Sequence, residues 1–295
     1  MHVADLLRSK AGKPVISFEF SRPKTEKAAA SLEEALDHLV EAKPDYVSVT
    51  FGAGGSTREG SFELVDKLKN QRGLPTVAYL AGVGLGPDDL TACLDRFKSL
   101  QMQTIFCIRG DAPTWDDSYK PHPQALEYAS ELITFIKDKG YDFCLGAAAY
   151  PEGHSEAESL EKDLEAVKIK QDAGAEYIVA QYFYDNQYFY DFLDKARAAG
   201  ITVPIVPGIM PIYTVKLMET LAKVCGATIT GPVRDGLAKC DPEDKGAVGA
   251  FGIELATAQC RDLLEHGVAG LHFYTMNRYK ATTTVLANLR SEGLL

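Results

Sequence analysis

The sequence predicts an α/β chain closed into a (β/α)8 TIM barrel, and three observations carry that prediction. Eight short apolar, β-rich runs recur along it, amphipathic stretches at helical spacing separate them, and 295 residues accommodate eight such units in one domain. Alternation of strand and helix implies a parallel sheet covered by helices, and eight repeats is the count at which that sheet closes on itself.

The strand-like runs are residues 14–20, 45–51, 75–80, 103–108, 142–149, 176–183, 202–207 and 268–274. The first, within VISFEFSRPKT, sets Phe18 and Phe20 on one face and Ser17, Glu19 and Ser21 on the other, because side chains alternate along a strand. Pro23 cannot continue a ladder, so Glu19 lies close to the strand's carboxyl end. Residues 25–41 follow as a helix, with Ala30, Leu32, Ala35, Leu36 and Leu39 at helical spacing. Residues 157–173 form the same pattern through Leu160, Leu164, Val167 and Ile169. The alternative is an open doubly wound sheet, for which GAGGST (52–57) and GVGLGP (82–87) would be the phosphate loops. Neither spells G-x-G-x-x-G, and Pro87 stands where the second needs its last glycine. No low-complexity linker, internal repeat or charge block divides the chain, so residues 1–295 are expected to form a single barrel domain.

A net charge of −10 and a pI near 5.2 argue against nucleic acid or an anionic membrane surface as partner, since both demand surplus Lys and Arg. A local basic pocket for a small anion is still compatible. Cys93, Cys107, Cys144, Cys225, Cys240 and Cys260 show no C-x-x-C or zinc-knuckle spacing, and several sit in apolar runs. Neither a signal-peptide run nor a membrane span is recognisable. The expectation is a cytoplasmic protein.

In a barrel of this kind the active site lies at the carboxyl ends of the strands, where the βα loops converge. The polar residues there are Glu19, Thr50, Arg109, Asp111, Tyr150, Glu152, His154, Gln181, Asp185, His272, Asn277 and Arg278. Each has a plainer reading. Glu19 could form an interior salt bridge to Lys or Arg, His154 could cap or precede a helix beginning near Ser155, and Asp111 could pair with Arg109 to shape a turn before Pro113. Lys170 is by default a solvated helix charge, and His272 a satisfied core histidine. Gln181, between apolar and aromatic neighbours, needs hydrogen-bond partners that a strand end supplies poorly. No H-E-x-x-H or H-x-x-E-H motif points to a metal, and no G-x-S-x-G elbow points to serine hydrolysis. An organic cofactor with a proton-transfer carboxylate fits better than either.

FEFSRPKT, SVTFGAGGSTRE, CIRGDAP, AAYPEGHSEA, DAGAEYIVAQYFYD, VPGIMPI and LHFYTMNR occur in the order, and with nearly the spacing, found in the methylenetetrahydrofolate reductases. The chain resembles that family from about residue 14 to residue 290. The resemblance implies a flavin-dependent oxidoreductase of one-carbon metabolism. It would take hydride from NADH or NADPH onto FAD and pass it to 5,10-methylenetetrahydrofolate, giving 5-methyltetrahydrofolate. It implies that Glu19 protonates the folate and that Asp111 is the carboxylate beside flavin and folate. Gln181 would be shared by folate and nicotinamide, so that the two substrates use one flavin face in turn. Thr50, Phe51, Ala53, Arg109, Gly110, Ala129, Tyr150, His154, Ala157, Asp163 and Lys170 fall on positions that hold cofactor or nicotinamide, and Arg278 falls on a folate-contacting position.

The sequence departs from the family pattern at specific places. Ser21 and Arg22 replace an aromatic and a proline beside the acid, and an adjacent guanidinium would lower a pKa that the chemistry wants raised. Tyr79 replaces a histidine near the flavin, Ala166 and Ile169 replace residues often polar or basic, and Leu217 replaces a folate-facing amide. These departures leave room for two alternatives: a flavin-free relative passing hydride directly between nicotinamide and reduced pterin, or a non-catalytic folate-binding subunit. They would also suit a homo-oligomer or a separate electron-donor subunit.

Overall fold

Eight parallel strands close in chain order into a barrel: β1 (Val15–Phe20), β2 (Tyr46–Val49), β3 (Thr76–Ala81), β4 (Thr104–Ile108), β5 (Cys144–Ala149), β6 (Tyr177–Tyr182), β7 (Ile205–Ile209) and β8 (Gly270–Tyr274). The structure is a computed structural model and describes every residue except 11, 53–54 and 113–118, together with the side chains of 55–57. Pairing of β1 with both β2 and β8 closes the sheet, with Glu19 opposite Ser48 on one side and Tyr274 on the other.

Around the barrel, among the described residues, run α1 (Val3–Ser9), α2 (Glu26–Glu41), α3 (Gly55–Asp66), α4 (Pro87–Ser99), α5 (Ala129–Asp138), α6 (Leu160–Ala173), α7 (Asn186–Ala198), α8 (Val215–Cys225), α9 (Gly231–Leu237), α10 (Lys245–Glu265) and α11 (Lys280–Ser291). Short polar side chains mark several starts. Thr25 accepts from the Ala28 amide at 3.1 Å to open α2, and Ser159 accepts from the Lys162 amide at 3.3 Å to open α6. The expected helix from 157 therefore begins three residues later, and residues 157–159 belong to the preceding turn. The seventh strand is also displaced from its expected span of 202–207. The Gln171 side-chain oxygen accepts from the amides of Thr202 (2.7 Å) and Val203 (3.1 Å), which holds them outside the ladder. The strand continues past Pro207 through Gly208 and Ile209, beside a register irregularity in β6.

Strand alternation separates two apolar layers. Outward side chains such as Phe18, Phe20, Val47, Leu80, Ile105, Leu145 and Phe273 pack against the helices. Inward ones, including Val15, Tyr46, Val77, Phe106, Tyr177 and Val206, fill the barrel. Gly146 makes room for this aromatic filling: a Cβ there would lie 2.3 Å from the Tyr177 ring and 2.6 Å from Phe106. Helix α1 contributes Val3, Ala4 and Leu7 to the same cluster and is tied to β4 by Thr104, whose hydroxyl donates to the Met1 carbonyl at 2.7 Å. The amino-terminal end of the barrel is thereby plugged, and the carboxyl end is left for chemistry. Among the described residues no helix is long and apolar enough to cross a membrane.

Candidate active site

Two strands build the centre of the carboxyl-terminal mouth. β1 carries Ser17 and Glu19 inward, and β8 sets His272 level with Ser17. Ser17 Oγ lies 2.8 Å from His272 Nδ1, while His272 Nε2 has no hydrogen-bond partner among the described residues and lies 3.8 Å from Glu19 Oε2. His272 is thus half satisfied rather than the fully satisfied core histidine expected, with its free nitrogen turned toward the carboxylate. The Glu19 side chain is 18% exposed. Among the described residues no Lys or Arg comes within ion-pair distance of it, which disposes of the interior salt bridge. The Thr275 hydroxyl donates to the Glu19 carbonyl at 2.6 Å and fixes the strand end.

Tyr79 and Tyr274 flank the acid. Tyr79 is buried and stacks on Phe106 with ring centroids 4.5 Å apart. Burial, and then the Glu19 charge, hold both phenols well above the ordinary tyrosine range, so both are neutral hydroxyls at the acid's side. Arg22 does not perturb Glu19 by contact. Its aliphatic stem lies across α3, where a Cβ at Gly60 would come within 2.0 Å of its Cδ.

The loops after β4 and β5 and the inward face of α6 form a second group. Arg109 pairs with Glu156 and stands 3.7 Å from Asp111. The plainer reading of Asp111, a partner of Arg109, is therefore realised, and its carboxylate is 94% exposed. Gly110 adopts φ +80°, and a Cβ there would meet Ala81 and Val83 at 2.8 and 2.9 Å, so this turn needs glycine on both counts. The Tyr150 ring meets that of His154 edge-on at 4.6 Å, and burial pushes its hydroxyl up to about 12.

His154 does not cap a helix. Its carbonyl accepts from the Ala157 amide and its Nδ1 from the Glu156 amide, and its own amide donates to Asp163 at 3.2 Å. Burial raises the Asp163 pKa, with the Lys170 charge opposing. Lys170 is no solvated charge: its Nζ donates to the Ala148 carbonyl at 2.9 Å, and desolvation lowers its pKa. Helix α6 consequently buries Asp163 and Val167 and directs Lys170 inward, whereas Leu160 and Ile169, expected on its apolar face, are 47% and 55% exposed. A cavity of about 320 Å³ opens beside Tyr150, Glu152 and Asp163.

The remaining candidates are more dispersed. The Thr50 amide donates to the Phe20 carbonyl at 3.0 Å, and Phe51 packs edge-on against Phe62 at 5.9 Å, as part of the outer apolar layer. Ala129 is buried at the start of α5. Gln181, at the end of β6, bends its oxygen back to the Tyr182 amide at 3.0 Å. Arg278, on the opposite rim, lies over the Tyr213 ring at 5.1 Å. Ala53 lies outside the described residues, as does Pro113, so the turn expected there is not described. Among the described residues no cluster of His, Cys, Asp and Glu could hold a metal ion.

The sequence matches the family model described as methylenetetrahydrofolate reductase over residues 3–290. The chain belongs to the methylenetetrahydrofolate reductase family. It is similar to methylenetetrahydrofolate reductase (NADH) 1 of Arabidopsis thaliana, with 35% identity over 301 residues, covering 98% of this chain and 51% of the plant protein. It is also similar to 5,10-methylenetetrahydrofolate reductase of Escherichia coli strain K12, with 34% identity over 281 residues, covering 94% of this chain and 91% of that one. The chain spans about half the length of the plant and yeast relatives it matches. Among solved structures, an uncharacterized protein from Clostridium thermocellum, described as binding two copies of 5-methyl-5,6,7,8-tetrahydrofolic acid, shares the fold with a TM-score of 0.69. It is 17% identical, and the match covers 97% of this chain and 99% of that one.

Within this family member the structure adds a residue that sequence reasoning passed over. Cys225 ends α8, and its thiol, raised mainly by burial, also feels the Asp111 and Glu19 carboxylates. A cysteine at a helix end has no sequence signal that would separate it from the buried ones.

Proposed function

We propose that the chain reduces 5,10-methylenetetrahydrofolate to 5-methyltetrahydrofolate with hydride from NADH or NADPH, Glu19 being the proton donor. NADH is the first choice, because the plant relative is named for it. The observation that carries the reading is the environment of Glu19: a largely buried carboxylate with no Lys or Arg partner among the described residues, a half-satisfied histidine 3.8 Å away, and two neutral phenols beside it. Such an acid is free to exchange a proton with a substrate nitrogen. Protonation there opens the bridging ring of the folate, and the exposed Asp111 carboxylate offsets the positive charge that develops.

A flavin, when bound, would accept hydride from the nicotinamide and donate it to the opened folate. The residues fit an FAD diphosphate. Lys170, a desolvated cation whose contacts are one carbonyl and a nearby carboxylate, and Arg109, now paired with the exposed Glu156, are the side chains that would offset its charge. His154 and the turn at Gly110 complete that wall. Gln181, at the neighbouring strand end, would orient nicotinamide and folate in turn.

The flavin-free alternative is favoured by one specific observation: Tyr79, stacked on Phe106, fills the barrel beneath the mouth where the family carries a histidine. Acid release of cofactor from the purified chain, followed by chromatography, separates the two readings. The main reading requires bound or reconstitutable FAD, and nicotinamide oxidation that depends on methylenetetrahydrofolate, with 5-methyltetrahydrofolate formed one for one. Oxidation without the methyl product would overturn it. The expected compartment is the cytoplasm, in keeping with six free cysteines.

A further inference from the structure

Beneath Glu19 the barrel interior gathers polar atoms that its apolar filling does not satisfy. Among the described residues, the Tyr46 hydroxyl, Ser48 Oγ, the Tyr177 hydroxyl and His272 Nε2 are buried without a hydrogen-bond partner, and all four belong to the inward face of the barrel. Each of these residues is 1% exposed. Folded proteins leave few such atoms unpaired, and where side chains do not pair them, bound water does.

The strand register sets three of the four around the acid. Glu19 stands opposite Ser48 on β2, while Ser17, two residues earlier, stands between His272 on β8 and Tyr46 on β2. The deciding distance is the 3.8 Å between His272 Nε2 and Glu19 Oε2. That is too long for a hydrogen bond, and it suits two polar atoms that share one water.

Ser17 supplies the direction of the bonds. Its Oγ lies 2.8 Å from His272 Nδ1 and 3.5 Å from the Leu271 carbonyl, so the ring nitrogen is the nearer acceptor for its hydroxyl. A hydroxyl donated to Nδ1 leaves the ring hydrogen on Nε2, the nitrogen turned toward the acid. Donors then run in one line from Ser17 through the ring to a water and on to Oε2. Among the described residues no Lys or Arg lies within ion-pair distance of Glu19, so neutral donors are what can stabilise its ionised form. We infer that a bound water sits under Glu19, joined to His272 Nε2 and the Ser48 hydroxyl, and solvates the carboxylate left when Glu19 gives its proton to the folate. His272 and Ser48 are positioning residues in this scheme, which deepens the folate reading above and rests on it.

The first test needs no substrate. In a high-resolution crystal structure of the purified protein, a water should lie within hydrogen-bond distance of His272 Nε2, Ser48 Oγ and the Glu19 carboxylate. Removing a hydroxyl that holds a water should lower stability, so Ser48→Ala should reduce the denaturant midpoint, whereas removing a dry, unpaired hydroxyl would raise it. A site without water, or a midpoint that stays level or rises, would overturn the inference. The second test follows both half-reactions of the FAD-reconstituted protein by rapid mixing. For His272→Asn, reoxidation by methylenetetrahydrofolate should slow roughly 10- to 100-fold, as for loss of a donor to a developing negative charge. For Ser48→Ala it should slow about threefold to tenfold, the worth of one hydrogen bond. Reduction by NADH should be unchanged in both. If His272→Asn does not fold, Ser48→Ala carries this arm alone. Equal slowing of both half-reactions, or slowing of neither, would overturn the solvating role. A water found in place in a protein that forms no 5-methyltetrahydrofolate would confirm the hydrated site and overturn the folate reading.

Discussion

The two faces of β1 do opposite jobs with alternate residues. Phe18 and Phe20 point outward into the helical layer, and both are almost fully buried. Ser17 and Glu19 point inward, where one hydroxyl holds one histidine and the carboxylate has no cationic partner within ion-pair distance among the described residues. The outward face stabilises the barrel by removing aromatic surface from water, each ring contributing on the order of 1.5–3 kcal/mol. The inward face gives up such stabilisation for a group that can gain and lose a proton. A single strand therefore separates folding from chemistry by the pleat alone.

Substitution on each face should break the comparison in a different observable. Glu19→Gln is isosteric and removes the proton; turnover of methylenetetrahydrofolate should fall about 10²- to 10⁴-fold, while the denaturant midpoint stays close to that of the native protein. Phe18→Ala should do the reverse. It should cost roughly 3–5 kcal/mol in chemical denaturation, and the fraction that remains folded should retain a normal pH–rate profile.

Ser17→Ala should fall between these. It leaves His272 Nδ1 without its partner, at a cost of about 1–3 kcal/mol, and removes the hydroxyl that orients the ring toward Glu19. A shift in the acidic limb of the pH–rate profile would show that the pairing orients the histidine as well as stabilising it. An unchanged limb would restrict Ser17 to stability.

The smallest effect should come from Lys170→Met. Burial lowers the folded-state pKa of Lys170, so the protonated lysine carries its full cost in the native state below that folded value. That cost diminishes as pH rises from the folded value toward the unfolded value of 10.5 and vanishes above it. The methionine variant should accordingly be as stable as the native protein or slightly more so near pH 7, with the difference closing at alkaline pH. FAD retention, measured by gel filtration of the reconstituted protein, should weaken. Loss of stability without loss of retention would place Lys170 with the structural residues.

The eight strands and the inward placement of Glu19 were legible because alternation within β1 and the repetition of strand and helix are local properties of the chain. The positions of β7 and the start of α6 were not, since one depends on a distant side chain, Gln171, and the other on which of several polar residues captures a helix amide. The inward face of α6 was misjudged for a related reason. Leu160 and Ile169 have the hydropathy of a core face, but Asp163 and Lys170 occupy the side toward the site. The pairing of Asp111 with Arg109 was among the readings that adjacent opposite charges allow, but its 94% exposure depends on how the turn after β4 folds. Adjacency of Arg22 to Glu19 in sequence said nothing about the direction of its side chain, which runs along α3.

The central claim is that Glu19 donates a proton to folate and takes no part in nicotinamide oxidation. Rapid-mixing of the FAD-reconstituted protein separates these two half-reactions. For Glu19→Gln the account predicts that the rate of reduction by NADH stays within about a factor of two or three of the native value, while reoxidation by methylenetetrahydrofolate slows by at least about 100-fold. Equal slowing of both half-reactions, or an unimpaired folate half-reaction, would contradict it.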